Sequence, residues 1–212
     1  MPVEFEIEYL GQSGFRIAVG DSVLLIDPSN KKSGNFGGDL LYCTHKHWDH
    51  TGGVSTFLER NKKAEFIANK QVLQIFPEYF NRSVTAVAGE THSHGIWKLE
   101  FIEGKHGLFR GIDNTGVIVR VGDKSFGHVG DTVTLKGFRD KRLDILAIPI
   151  AGGPTMSPKK AFQELKRFSV PLPRIIPMHW LFRSPNGFCK KVRESIEDIS
   201  CSVMKKGEVL TI

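Results

Sequence analysis

Between Cys43 and Gly53 the chain reads CTHKHWDHTGG, placing three of its eight histidines and an aspartate within six positions: His45, His47, Asp49 and His50. An apolar run, DLLYCT, leads in, and Thr51-Gly52-Gly53 leads out into a helical stretch, VSTFLERN. In an extended segment alternate side chains share a face, so His45 and His47 can reach one point. Asp49 and His50 sit where the chain turns into the helix and can reach a second point nearby. Imidazole nitrogen and carboxylate oxygen suit zinc, manganese or iron. Two ions need more ligands than these four, so the rest must come from afar. His106 follows the strand LEFIEGK, Asp131 lies in GHVGDT and His179 in IIPMHW, each at the end of a strand. The chain is therefore constrained to bring several strand ends to one edge of a sheet.

The remaining pattern is compatible with that demand. In VEFEIEYL, Val3, Phe5, Ile7 and Tyr9 alternate with Glu4, Glu6 and Glu8, the period of a half-solvated strand. FRIAV and SVLLIDP follow across the turn signal Gly20-Asp21. AEFIA, SVTAV, IWKLEFIEG, TGVIVRV, KSFGHVG, LDILAIPI, RIIPM and GEVLTI read as further strands. KQVLQIF, SPKKAFQELKRF and GFCKKVRESIEDI read as helices, the second with Ser157 as N-cap and Pro158 at the first helical position. Two runs of strands, each followed by helices and joined mostly by antiparallel hairpins, predict two packed sheets flanked by helices. No linker divides the chain, so residues 1–212 are expected to form one α/β domain.

Composition narrows the function classes. With 40% apolar and 25% charged residues the chain is globular in character, and it has no apolar run long enough to span a membrane. The N-terminus lacks a basic, apolar leader, which predicts a cytoplasmic location. Cys43, Cys189 and Cys201 are far apart and form no CxxC pair, so they are expected to be buried apolar side chains rather than a disulfide or thiolate site. The net charge of +6 is spread in scattered lysine pairs, which reads as solvated surface and makes nucleic acid an unlikely partner. Assembly into a homo-oligomer is left open.

The motifs taken in order resemble the metallo-β-lactamase superfamily. HKHWDH matches the HxHxDH signature, and Asp27 in LLIDP, His106 in EGKHG, Asp131 in HVGDT and His179 in IIPMHW match the flanking motifs. The resemblance runs from about residue 5 to the C-terminus and implies an αββα sandwich with metals at one edge. EYLGQSGFRI, NTGVIVRV and PIAGGPTMSPKKAF are most similar to the branch containing ascorbate-6-phosphate lactonase and many metal-dependent hydrolases. That branch commonly carries histidine where this chain has Gln12. The resemblance further implies that His45, His47 and His106 hold one divalent ion, that Asp49, His50 and His179 hold a second, and that Asp131 bridges them. Zinc is the favoured metal, with manganese and iron as alternatives. Asp27 is implied to orient the ligand loop.

Such a pair of ions lowers the pKa of a bound water from 15.7 toward roughly 7 and polarises the bond under attack. Hydrolysis of a lactone, ester or phosphoester in a small molecule is the expected reaction, an anionic substrate being left open, with Asp49 helping to position the hydroxide and Asp131 bridging the ions. Lys31, Lys32, Arg110 and Arg183 are candidate anion contacts, and Trp48, Trp180 and Phe182 a candidate apolar wall. The loops SNKKSGNFGG, GLFRGIDN and AGGPTMS are expected to rim the cleft. His92 and His94, in THSHG, read as surface residues of a polar turn, and His128 as support behind the site. Two other activities compete. Against a nuclease, only the 47 residues 132–178 separate Asp131 from His179, too few for a large inserted domain. Against a diiron oxidoreductase, the first cluster reads His-Lys-His with no glutamate.

Overall fold

A computed structural model describes residues 4–107, 111–171 and 173–212. The chain opens with β1 (Glu6–Gly11), β2 (Gly14–Val19), β3 (Ser22–Ile26) and β4 (Leu40–Cys43). The short helices α1 (Trp48–Thr51) and α2 (Val54–Arg60) follow, then β5 (Glu65–Ala68), α3 (Lys70–Leu73) and β6 (Ser83–Thr85). The second half holds β7 (Thr91–His94), β8 (Trp97–Lys105), β9 (Asp113–Val121), β10 (Lys124–His128) and β11 (Ile145–Pro149). It ends with α4 (Pro158–Leu165), β12 (Arg174–Met178), α5 (Pro185–Ser195) and β13 (Val209–Thr211).

One sheet runs β13-β1-β2-β3-β4-β5-β6 and the other β12-β11-β10-β9-β8-β7. Period-two patterning sorts the side chains of the first sheet between two cores. Leu24, Ile26, Leu40, Tyr42 and Ile67 point into the core between the sheets, whereas Leu25, Leu41, Cys43, Phe66 and Ala68 pack outward on Phe57 and Leu58 of α2 and Val72 of α3. Ala161 and Leu165 of α4 and Phe188 and Val192 of α5 join the larger core from the other side. The result is an α/β sandwich in the order helices, sheet, sheet, helices. Ser157 caps α4 as expected, accepting from the Lys160 amide, with Pro158 beginning the helix.

Two expectations are corrected and a third holds narrowly. Among the described residues six strand pairings are antiparallel, while the five within β3-β4-β5-β6 and β10-β11-β12 are parallel. Crossover connections, most of them carrying a helix, join these parallel strands and leave the C-terminal ends of β4, β11 and β12 free to carry loops at one edge. Thr91–His94, read as a turn, is the edge strand β7. Cys189 and Cys201 are joined in a disulfide, leaving Cys43 the free buried thiol. The chain leaves α5 and returns beside β12, where Cys201 bridges Ile175, and that return brings the two sulfurs together. Among the described residues no helix is long and apolar enough to cross a membrane.

Candidate metal centre

The seven residues singled out in the sequence converge at one edge of the sandwich. His45 and His47 lie between β4 and α1, Asp49 and His50 within α1, His106 just after β8, Asp131 after β10 and His179 after β12. His45, His47, His106 and Asp131 form one group of potential ligand atoms within 4.8 Å of one another, and Asp49, His50 and His179 form another. Asp131 stands between them. Its Oδ1 is 3.5 Å from His50 Nε2, and its Oδ2 is 3.4 Å from His179 Nε2 and 4.0 Å from His45 Nε2. Asp49 Oδ2 is 3.3 Å from His179 Nε2. Ligand atoms held by one tetrahedral zinc at roughly 2.1 Å stand about 3.4 Å apart, so these separations are those of a coordination shell. His50 Nε2 and Asp131 Oδ1 are buried without a formed hydrogen bond and face each other at 3.5 Å, an arrangement that a shared cation, a proton or a metal ion, relieves. The residues present therefore fit divalent ions.

Asp27 fixes which imidazole nitrogens face this point. The carboxylate is fully buried, and its Oδ1 accepts from the Thr44 amide at 2.8 Å. Its Oδ2 accepts from the Thr44 hydroxyl at 2.7 Å and from His50 Nδ1 at 2.7 Å. Because Thr44 spends its proton on Asp27, its oxygen is left to accept from His45 Nδ1, 3.1 Å away. Both histidines thereby carry hydrogen on Nδ1 and direct Nε2 toward the centre. Thr44 itself is pinned, its carbonyl accepting from the Thr115 amide and from Asn69 Nδ2. Asn114 holds Asp131 similarly, its Oδ1 accepting from the Asp131 amide at 3.0 Å while its Nδ2 donates to Val129. Sequence reasoning missed Thr44, Asn69 and Asn114. The adjacency of Thr44 to the histidine cluster was the one available signal. His128 supports from behind, donating from Nε2 to the Ser13 carbonyl at 2.8 Å.

The backbone is strained around the same point. Asp27, His179 and Gln12 have φ of 46°, 46° and 56°, in the left-handed region where a side chain costs about 1 kcal/mol or more. Each is held: the Asp27 amide donates to Tyr42, and the His179 amide donates to the Gln12 carbonyl. Gln12 Nε2 in turn donates to Asp49 Oδ2 at 2.9 Å and lies 3.0 Å from His179 Nε2. Gly52 and Gly53 allow the loop after Asp27 to approach; a Cβ on them would stand 2.5 Å from the Ser29 carbonyl and 2.6 Å from that of Asn30.

Electrostatics settle most of these groups in ligand-ready states. Burial pushes His45, His47 and His106 below the ordinary histidine range, which keeps them neutral. Burial would raise Asp131, but His50 and His179 outweigh it and hold the carboxyl down. Asp49 is likewise held down against burial, by His179, His50 and Gln12. His50 is the exception. Burial opposes its charge, yet Asp131 and Asp27 push its pKa up, so a cation must displace a proton there.

The rim is only partly as expected. Trp48, 78% exposed, lies between His47 and Asp49 in the chain, and Phe182, fully exposed, follows His179 by three residues, whereas Trp180 packs on Tyr9. Arg183 donates to the Ala151 carbonyl, tying the loop after β12 to the loop after β11. Gly107, after His106, donates to Pro154 of that same loop. Lys31 is exposed, and Lys32 lines a groove of about 340 Å³ with Glu8, Leu10, Phe36 and Lys206 that none of the seven residues lines. Arg110 lies outside the described residues. His92 and His94 are not solitary surface residues: they meet Glu65.

A sandwich of this order with a histidine–aspartate cluster at the strand ends defines a metallo-β-lactamase-like metal-binding protein. Residues 6–179 match the family described as the beta-lactamase superfamily domain, and the chain belongs to that family. It is 28% identical to a UPF0173 metal-dependent hydrolase of Aeropyrum pernix, with 95% of each chain covered. It is 27% identical to the UPF0173 metal-dependent hydrolase TTHA1283 of Thermus thermophilus, over 98% of this chain and 99% of that one. In structure it resembles Igni18, a metallo hydrolase from Ignicoccus hospitalis, with a TM-score of 0.82, 24% identity, and coverage of 99% and 98%.

Proposed function

We propose that the protein is a metal-dependent hydrolase whose centre takes two divalent ions, zinc in the first place, and cleaves a lactone, ester or phosphoester of a small anionic molecule. The observation that carries this reading is Asp131, whose two oxygens face His50 on one side and His179 and His45 on the other. One shared carboxylate between two ligand groups suits two ions better than one. His45, His47 and His106 would complete the first shell with Asp131, and Asp49, His50 and His179 the second. When bound, such ions acidify a water to a pKa near roughly 7 and polarise the carbonyl or phosphoryl oxygen.

The chain's own residues supply the rest. Asp27 and Thr44 hold His45 and His50 in one tautomer, and Gln12 orients Asp49. Trp48 and Phe182, exposed and close to ligand residues in the chain, would supply apolar surface for the part of the substrate away from the scissile bond. The names of the relatives support hydrolysis. The branch of ascorbate-6-phosphate lactonase, which the motifs most resemble, supports a lactone or phosphorylated substrate. The test is a panel of chromogenic lactones, phosphodiesters and phosphomonoesters with Zn²⁺ and with Mn²⁺. Wild-type protein should turn over at least one, and Asp131→Ala should lose that activity by more than the roughly 10- to 100-fold that loss of a mere outer-shell partner typically costs. Equal rates in the two proteins would remove the bridging role.

A further inference from the structure

We propose a second metal site at the opposite end of the sandwich, where Glu65, His92 and His94 hold one zinc-like divalent cation that ties the two sheets together. It is independent of the centre above. Glu65 opens β5 and pairs in register with Leu40 at the start of β4, whereas the histidine cluster begins beyond the end of that strand. The five steps along the chain from Leu40 to His45 span about 16 Å when extended.

All three side chains occupy inward-facing positions. On β7, His92 lies opposite Leu99 and His94 opposite Trp97, both members of the core between the sheets. Thr91 and Ser93 take the other, exposed face. On β5, Phe66 packs into the outer core and Ile67 into the inner one, so Glu65 shares the inner face with Ile67. A carboxylate from one sheet and two imidazoles from the edge strand of the other thus meet where apolar packing stops.

Glu65 Oε1 lies 2.6 Å from His92 Nε2 and 3.3 Å from His94 Nδ1, and the three ligand atoms lie within 4.8 Å of one another. Among the described residues no lysine or arginine forms an ion pair with Glu65. Two imidazoles and a carboxylate are a three-ligand zinc set with a fourth position for water. The side chains are 23–33% exposed, which leaves an entry path from solvent. The His92–Glu65 hydrogen bond keeps the ligands together, and a cation would take the place of its proton.

The site is read by zinc stoichiometry in equilibrium dialysis at pH 7.5 on wild type, Glu65→Gln and His92→Ala, with folding checked by circular dichroism. The expected result is one equivalent fewer in each variant than in wild type, however many ions the central cluster holds, with hydrolytic activity unchanged. Zinc-edge anomalous diffraction from wild-type crystals should show a peak within bonding distance of all three side chains. His94→Gln, which keeps the inter-sheet hydrogen bond between His92 and Glu65, should also lose that equivalent and covers the case in which another variant fails to fold. Equal stoichiometry across folded variants, or lower thermal stability with no change in zinc, would reduce the trio to a hydrogen-bonded clasp and overturn the proposal.

Discussion

Replacing Asp27 by asparagine separates the electrostatic role of this residue from its shape. Asparagine has nearly the same volume and tolerates the left-handed backbone that Asp27 adopts at φ 46°, so the strand end should keep its path. The hydrogen bonds cannot all survive. Asp27 receives three donors: the Thr44 amide on Oδ1, and the Thr44 hydroxyl and His50 Nδ1 on Oδ2. If the amide nitrogen takes the place of Oδ1, it faces a backbone N–H. If it takes the place of Oδ2, it faces the hydrogen on His50 Nδ1. In the second case His50 can relieve the clash only by moving its proton to Nε2, the atom aimed at Asp131. Either way one buried donor is orphaned, at about 1–3 kcal/mol. Loss of such an orienting partner typically weakens metal affinity by roughly 10- to 100-fold, equivalent to about 1.4–2.7 kcal/mol, which agrees with that penalty. Competition with a chromophoric chelator measures the affinity, and thermal unfolding of the apo-protein measures the stability. Zinc affinity within twofold of wild type would refute the claim that Asp27 sets the imidazole tautomers.

Two further variants probe the frame around the centre. Gln12→Leu removes the amide that donates to Asp49 while keeping side-chain bulk; one zinc equivalent should bind roughly tenfold more weakly and the other unchanged, as read by calorimetry, and two equal affinities would contradict the assigned role. Glu164 is buried on α4, which by itself would raise its pKa, but Arg139, the Leu135 amide, Lys160 and Thr134 hold it at about 2. A depressed carboxyl stabilises the fold above its unfolded pKa near 4.5, and the contribution is lost as pH falls from there through about 2. Its size is on the order of 2 kcal/mol, allowing for solvent around Lys160 and Arg167. Glu164→Gln should therefore lower the melting temperature at pH 7 and flatten its decline between pH 4.5 and 2; parallel curves would contradict the linkage.

The strands and the central cluster were legible because their signals are local. Alternation in VEFEIEYL and the dense HKHWDH are visible in a few residues; the first forms β1 from Glu6 onward, with Val3 outside the described residues, and the second follows the end of β4. What escaped depends on residues distant in the chain. β7 carries no apolar residue, since its inward positions are His92 and His94, so its alternation of small hydroxyl and imidazole side chains looked like a polar turn. Glu65 lies 27 positions from His92, and nothing in AEFIA marks it as a partner. The disulfide was hidden for the same reason: a separation of 12 residues across a helix end says nothing about where the chain returns. Thr44 and Asn114 resemble ordinary strand residues, and their value appears only once Asp27 and Asp131 stand beside them.

Charge at the centre bears on the substrate. Asp27, Asp49 and Asp131 bring three negative charges to a largely buried space, and in the absence of metal His50 offsets part of them by retaining a proton. A single divalent ion that displaced this proton would leave the group negative, and an anionic substrate would then be repelled. Two such ions bring the group to a net +1, or to zero once a bound water has lost its proton, and in this poorly screened setting that removes the repulsion of an anion. The proposed substrate class and the proposed ion count therefore depend on each other. Lys31 and Lys32 are not needed to draw an anion in, and Lys32 in any case lines a separate groove. On this reasoning Lys31→Ala should leave KM for an anionic substrate within about twofold, since an exposed charge is worth little in water. A rise of tenfold or more would shift anion recognition from the metals to the loop after β3.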